Sequence, residues 1–230
     1  MIMNRHYTYL LAGFTAGIIL IAAPRAARAN TYQIDDGTAE FGAGNSNGGD
    51  LIALNEFTVT GGNNVITSIS IAWGGPGDFS LNGLSYTAVL WNDPIPDGVP
   101  NDPPVVLGTV PGIISGSGTN TFVTSTFGAP ITVLTPNFFV GFIITNTVGQ
   151  APGAADANTL LTGRSFYATN LTGAGDIYNL NNNDFGGAQL FDPTWMIRAN
   201  AIPEPSTWAM LGVGAVMLLL FLRSRREALR

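Results

Sequence analysis

The 230-residue chain contains no cysteine, a single histidine and, among nine basic residues, no lysine. Without cysteine there is no disulfide, no thiol nucleophile and no thiolate zinc site. The one histidine, His6, belongs to an N-terminal segment read below as removable. The mature chain is therefore left without a Ser-His-Asp triad or a His-ligated metal. The lack of lysine excludes Schiff-base chemistry and the phosphate-binding P-loop. No self-similarity at a fixed period is visible, which argues against a solenoid or a propeller. Long apolar runs are also scarce: there are two, one at each end.

At the N-terminus, Arg5 precedes an apolar stretch from Leu10 to Ala23, and Ala27-Arg28-Ala29 follows. A basic start, a short apolar core and small residues at Ala27 and Ala29 make residues 1–29 a signal peptide, with signal peptidase cutting before Asn30. An uncleaved anchor is the alternative. At the C-terminus, Ala201-Ile-Pro-Glu-Pro-Ser-Thr-Trp208 leads into an apolar run ending at Leu222, then into Arg223-Ser-Arg-Arg226. Pro203 and Pro205 fix φ and lack an N–H, so the backbone around Glu204 should be extended and free of any sheet. Pro205 suits the first position of a helix over 205–222. Trp208 fits a membrane interface, while Arg223, Arg225 and Arg226 form a cytoplasmic stop. Eighteen helical residues reach about 27 Å at about 1.5 Å each, against a hydrocarbon core of roughly 30 Å. Such a helix spans marginally, which suits a transient hold better than a lifelong anchor.

This order of Pro203-Glu204-Pro205, Ser206, Trp208, a Gly-bearing apolar helix and an arginine cluster resembles the PEP-CTERM sorting signal of Gram-negative and related bacteria. The resemblance covers residues 201–230. It implies recognition by exosortase, a membrane-embedded cysteine protease thought to cut near the Pro-Glu-Pro triplet and to release or transfer its substrate to the cell surface. The tail Glu227-Ala-Leu-Arg230 departs from the pattern, being longer and less purely basic.

Between the two ends lie residues 30–202, enough for one domain with a sizeable core. Arg164 and Arg198 are its only cations and face thirteen Asp and Glu, a net charge of −11. That balance repels nucleic acid and anionic lipid. Short runs of β-branched and aromatic residues alternate with Gly/Asn turns such as Gly61-Gly62-Asn63-Asn64 and Gly74-Gly75-Pro76-Gly77. Strands are predicted at Leu51–Val59, Ser68–Trp73, Tyr86–Trp91, Val105–Val110, Thr121–Phe127, Ile131–Leu134, Asn137–Thr145, Ser165–Thr169 and Trp195–Ala201. Nine to eleven strands with this spacing predict an all-β domain over 30–200, an antiparallel β-sandwich of jelly-roll type. A signal helix and a transmembrane helix flank it. Tyr32-Gln-Ile-Asp-Asp-Gly-Thr-Ala-Glu40, Ser85-Tyr-Thr-Ala-Val-Leu-Trp91 and Trp195-Met-Ile-Arg-Ala199 resemble a β-sandwich domain of many secreted bacterial proteins. That second resemblance implies fold and export but no defined activity.

Three features could carry chemistry. The acid- and amide-rich loops Asn92–Pro104 and Asn179–Asp184 offer oxygens of the kind calcium takes, but without the EF-hand spacing, and they read as ordinary loops. Trp73, Trp91, Trp195, Tyr86, Phe138 and Phe139 could stack on sugar rings, yet their places on strands make them core residues. Paired carboxylates would suffice for a glycosidase, but among thirteen acids close pairs arise by chance. The sequence therefore predicts an exported, exosortase-processed, non-enzymatic component of the cell surface or extracellular matrix, with no cofactor and no metal. It is held in the inner membrane only until the tail is cut. A carbohydrate-binding module acting on extracellular polysaccharide is the alternative, and a glycoside hydrolase stands third.

Overall fold

The ten residues of β3 (Gly49–Thr58) are buried over nearly their whole length, and so are those of β8 (Asn137–Asn146). Side chains alternate between faces along a strand, so a strand apolar at every position must be covered on both sides. In the computed structural model, which describes residues 30–100, 102, 104–158, 163–202, 214, 216–218, 220 and 223, this is the case. The two strands pair antiparallel from Gly49–Asn146 to Thr58–Asn137. They form the centre of a six-stranded sheet completed by β5 (Ser85–Asn92), β6 (Val105–Ile113), β10 (Ser165–Asn170) and β11 (Gln189–Leu190), in the order β11-β10-β3-β8-β5-β6.

One face of this sheet presents Leu51, Ala53, Phe57, Tyr86, Ala88, Leu90, Phe138, Val140, Phe142 and Ile144. It packs on a four-stranded sheet made of β1 (Asn30–Tyr32), β4 (Val65–Ile71), β7 (Val123–Thr132) and β13 (Ile197–Ile202), in the order β1-β13-β4-β7. That second sheet has a polar outer face. Ile69, Ile71, Ile197 and Ala199 turn inward, while Ser68 and Ser70 accept hydrogen bonds from the Asn200 amide at 3.0 and 3.2 Å. The domain is thus a sandwich of two antiparallel sheets.

The other face of the six-stranded sheet carries Ile52, Leu54, Val89, Trp91, Phe139, Phe166 and Ala168. It is covered by the segment from Leu171 to Ala188, whose Leu180 is fully buried against it. This segment includes two single-turn 3-10 helices, Leu180–Asn182 and Asp184–Gly186. A third small sheet, in the order β12-β9-β2, joins β2 (Phe41–Ala43), β9 (Gly153–Asp156) and β12 (Thr194–Trp195). Its core is of small residues, Ala39, Ala72 and Ala154, with Met196. Here the backbones nearly touch: a Cβ on Gly42 would lie 2.6 Å from the Gly75 nitrogen.

The thirteen strands among the described residues all belong to one unit, Ala29–Pro203. Two sequence expectations need correction. Thr121–Phe127 and Ile131–Leu134 form a single strand, β7, because Gly128-Ala-Pro130 is taken up as a bulge opposite Ile66–Ser68 rather than as a turn. The predicted strand Trp195–Ala201 is divided between β12 and β13, and the short strands β1, β2, β9 and β11 lie outside the predicted set, so the total among the described residues exceeds eleven. The expected signal helix lies outside the described residues, as does most of the expected membrane helix. Within the latter, residues 214, 216–218 and 220 are helical, and Val216, Met217, Leu218 and Leu220 are exposed. Among the described residues no helix is long and apolar enough to cross a membrane.

Candidate functional site

The two ends of the predicted mature domain meet on one ladder. Asn30, the first residue after the predicted signal-peptidase cut, opens β1 and pairs with Ala201. β13 continues only to Ile202, which pairs with Val65, and Pro203 follows without an N–H to continue the ladder. β1 is locked by Tyr32, whose hydroxyl donates to the Asn63 carbonyl at 2.8 Å and accepts the Thr60 N–H at 3.0 Å. Ala27, Ala29, Pro203, Glu204, Pro205, Arg225 and Arg226 lie outside the described residues. Arg223 is helical and exposed.

The aromatic side chains considered for sugar stacking are all interior. Trp73, Trp91, Trp195, Phe138 and Phe139 are fully buried and Tyr86 nearly so. The Trp91 indole donates to the Ile177 carbonyl at 2.8 Å, and that of Trp195 to the Phe166 carbonyl at 2.8 Å. Phe191 stacks on Trp195 with centroids 3.8 Å apart. The two most exposed aromatic rings among the described residues are elsewhere, with Phe79 next at 60%. Tyr178 and Phe185, at 71% and 72% exposure, stand on the segment that covers the outer face of the six-stranded sheet. Sequence reasoning passed over both, because exposure of an aromatic leaves no periodic signature. The hint was their place on either side of the run Asn179-Leu-Asn-Asn-Asn-Asp184.

That segment is built by its own amides and acids. Asp176 accepts the N–H groups of Tyr178 and Asn179, each at 2.9 Å, and the Asn182 amide at 2.7 Å. Those donors, the Asn182 amide first, hold its carboxyl below the usual range. Asn183 is buried and clamps the loop, accepting from Asp176 N–H and donating to the Asp176 and Leu180 carbonyls. Phe185 has φ +61, ψ 13, a left-handed conformation rare for a bulky residue, and Gly186 and Gly187 continue with positive φ.

Other carboxylates also have defined partners. Asp35 is buried and paired with Arg198, whose guanidinium also lies 3.9 Å over the Phe122 ring. Glu40 and Asp156 accept backbone N–H groups from Ala157 and Asp36, each at 2.7 Å. Glu56 and Asp93 form a further interior pair, 5% and 0% exposed. Burial pushes both carboxyls up, and their mutual repulsion adds to it for Glu56, against the pull of Arg164 at 3.3 Å. One Asp93 oxygen accepts the Gly98 N–H at 3.1 Å, while the other has no hydrogen-bond partner. In the Asn92–Pro104 loop Asp97 accepts the Val99 N–H, the self-bonding typical of Asx turns. Among the described residues no three acidic side chains converge on a shared centre.

An all-β domain whose last strand ends one residue before a proline-flanked C-terminal segment defines a class: a β-sandwich protein with an appended sorting segment. Residues 201–226 match the PEP-CTERM protein-sorting motif. This bears out the resemblance read from the C-terminal sequence and indicates export and exosortase-dependent sorting. No curated protein matches the chain in sequence. Among solved structures, the chain is similar to the cysteine protease and lectin-like domains of Cwp84, a surface-layer-associated protein of Clostridium difficile. The identity is 16% and the TM-score 0.45, over 76% of this chain and 36% of that one.

Proposed function

We propose that residues 30–202 are a non-enzymatic component of the cell surface or extracellular matrix, released when signal peptidase removes the leader and an exosortase-like protease removes the tail. The observation that carries this reading is the PEP-CTERM match beginning at Ala201, inside the last strand of the fold. Its partners are those two proteases, with the membrane as a transient anchor. A jelly-roll type of sandwich is part of the proposal. It is supported by eight strands, β1, β3, β4, β5, β6, β7, β8 and β13, which are first to eighth in chain order. They pair as first-eighth-third-sixth in one sheet and second-seventh-fourth-fifth in the other. Hydrolysis by the interior carboxylate pair is disfavoured. Glu56 and Asp93 are shut off from solvent, where no glycosidic oxygen could receive a proton from them.

Carbohydrate binding is the second reading, favoured by the exposed Tyr178 and Phe185 on an amide-rich segment. Expression of the full chain in a Gram-negative host with and without an exosortase tests the first reading. Intact-mass measurement should find a surface species beginning at Asn30 and lacking Trp208–Arg230 only when the exosortase is present. A surface species that keeps the apolar tail in both strains would leave a permanent membrane anchor instead.

A further inference from the structure

Phe185 is costly where it stands. A bulky side chain at positive φ loses about 1–3 kcal/mol of backbone energy, and at 72% exposure it recovers little of that through burial. Its neighbours Gly186 and Gly187 adopt positive φ without the Cβ penalty. Glycine at 185 would therefore serve the fold better than phenylalanine. Tyr178 likewise contributes no ring to any of the three buried clusters.

The segment that displays these rings is tied to the sheet and to itself. Leu180 plugs the sheet, Trp91 is hydrogen-bonded to Ile177, and the Asn183 amide ties Asp176 to Leu180. The Gln189 amide reaches the Phe185 and Gly187 carbonyls, and Asp184 accepts the Leu171 N–H at 2.8 Å, bringing exposed Leu171 beside the strained turn. Two exposed rings on an anchored segment, with carboxylates and amides between them in the sequence, offer apolar faces for stacking and acceptors for hydroxyl groups. Electrostatics selects the ligand: Asp176, Asp184 and a domain charge of −11 repel polyanions and anionic lipid.

We propose that the segment from Leu171 to Leu190 is a binding surface for an uncharged polysaccharide, with Tyr178 and Phe185 as the stacking rings and Asp184 and Asn182 as hydroxyl partners. This rests on the carbohydrate-binding reading and assigns it a place.

The test is affinity electrophoresis of residues 30–202, the unit holding all thirteen strands, in gels containing hydroxyethylcellulose, galactomannan, dextran or, as the anionic control, alginate. Retardation is expected with at least one of the three neutral polymers and none with alginate. Tyr178→Ala and Phe185→Ala should each weaken binding about tenfold or more, the scale of one lost aromatic anchor. Phe185→Gly should weaken it equally while its melting temperature stays level or rises, which separates ligand contact from folding. Binding that survives all three substitutions would keep the carbohydrate reading and overturn this site. Failure of every neutral polymer would overturn both, leaving the sorting reading, tested by intact mass, untouched. Retardation by alginate alone would overturn the ligand class.

Discussion

Asn30 and Ala201 are backbone partners at the end of the β1–β13 ladder. The two segments predicted to be cut away therefore leave the domain from adjacent strands, and trimming both removes no ladder pair. β1 is only three residues long and covers the edge of β13. Its chief tether is the Tyr32 hydroxyl, bridging to Thr60 and Asn63. Tyr32→Phe keeps the ring against Phe57 and Phe138 but strips both hydrogen bonds. The expected cost is about 1–2 kcal/mol in urea unfolding. A variant as stable as the parent would show that the β1–β13 ladder and ring packing suffice to hold β1.

Asn55 is the one amide in the middle of β3, fully buried on the face where its neighbours are Ala53 and Phe57. Its side chain donates to the carbonyls of Trp195 at 2.7 Å and Ile197 at 3.2 Å and accepts the Ser165 hydroxyl at 2.7 Å. It thereby pins the irregular passage between β12 and β13 to the central sheet. Asn55→Leu leaves buried partners unsatisfied, which should cost about 3 kcal/mol. For a domain of this size that lowers the melting temperature by about 6–12 °C. A loss under 1 kcal/mol would mean the passage has other support.

These two residues mark how far the sequence could be read. Strands β3, β5 and β8 were legible because their apolar runs are long, and they are long because both faces of that sheet are covered. β2 and β9 were not, since Phe41-Gly-Ala43 and Gly153-Ala-Ala-Asp156 pair through backbone at close approach, which leaves no alternation of large and small side chains. Gly128-Ala-Pro130 carries the marks of a turn but is a bulge, a distinction made by the partner strand. The sorting segment was readable because it works as a linear order of residues. Tyr178 and Phe185 were hidden among amides that the composition presented as a candidate calcium loop.

Acidity should stabilise the domain over part of the range. Glu56 and Asp93 have folded pKa values raised by burial above their ordinary 4.5 and 3.8. Their protonated forms are thus favoured by folding. That stabilising contribution is fully present below the ordinary values and is lost as pH rises through the folded ones. Asp176 acts oppositely: lowered below 3.8, its contribution is present above that value and is lost in stronger acid. Urea unfolding should therefore show higher stability near pH 5 than at pH 7. Asp93→Asn retains an acceptor for the Gly98 N–H without the buried charge, so it should exceed the parent at pH 7 and flatten the profile. A parent whose stability falls steadily from pH 7 to pH 5 would contradict this.

Gly141 faces the backbone of β3, and a Cβ there would lie 1.9 Å from the Ala53 carbonyl oxygen. That contact is inside the longest ladder of the fold and cannot be relieved by rotating a side chain. Gly141→Ala must separate β3 from β8 and should cost about 3 kcal/mol or more. Soluble yield and melting temperature check it. The companion Gly62→Ala, where the added carbon meets nothing within 4 Å, carries only the strain of φ +73 and should be milder.

The last prediction concerns the surface charge. Arg198 is committed to Asp35, and Arg164 lies beside Glu56, so both mature cations stand beside buried acids. The remaining carboxylates of a domain at −11 repel one another across the surface. Sodium chloride shortens the Debye length from about 30 Å at 0.01 M to about 10 Å at 0.1 M, so the melting temperature of residues 30–202 should rise over that interval. Calcium is expected to do no more than sodium at equal ionic strength. In the Asn92–Pro104 and Asn179–Asp184 loops, carboxylates already accept backbone N–H groups. Specific binding would add RT ln(1 + [L]/Kd), about 2.7 kcal/mol at a hundredfold excess over Kd. A calcium-dependent rise of that size, reversed by chelator and not reproduced by sodium, would make one of those loops a metal site. The unpartnered Asp93 oxygen would then be its first ligand to test, by Asp93→Asn.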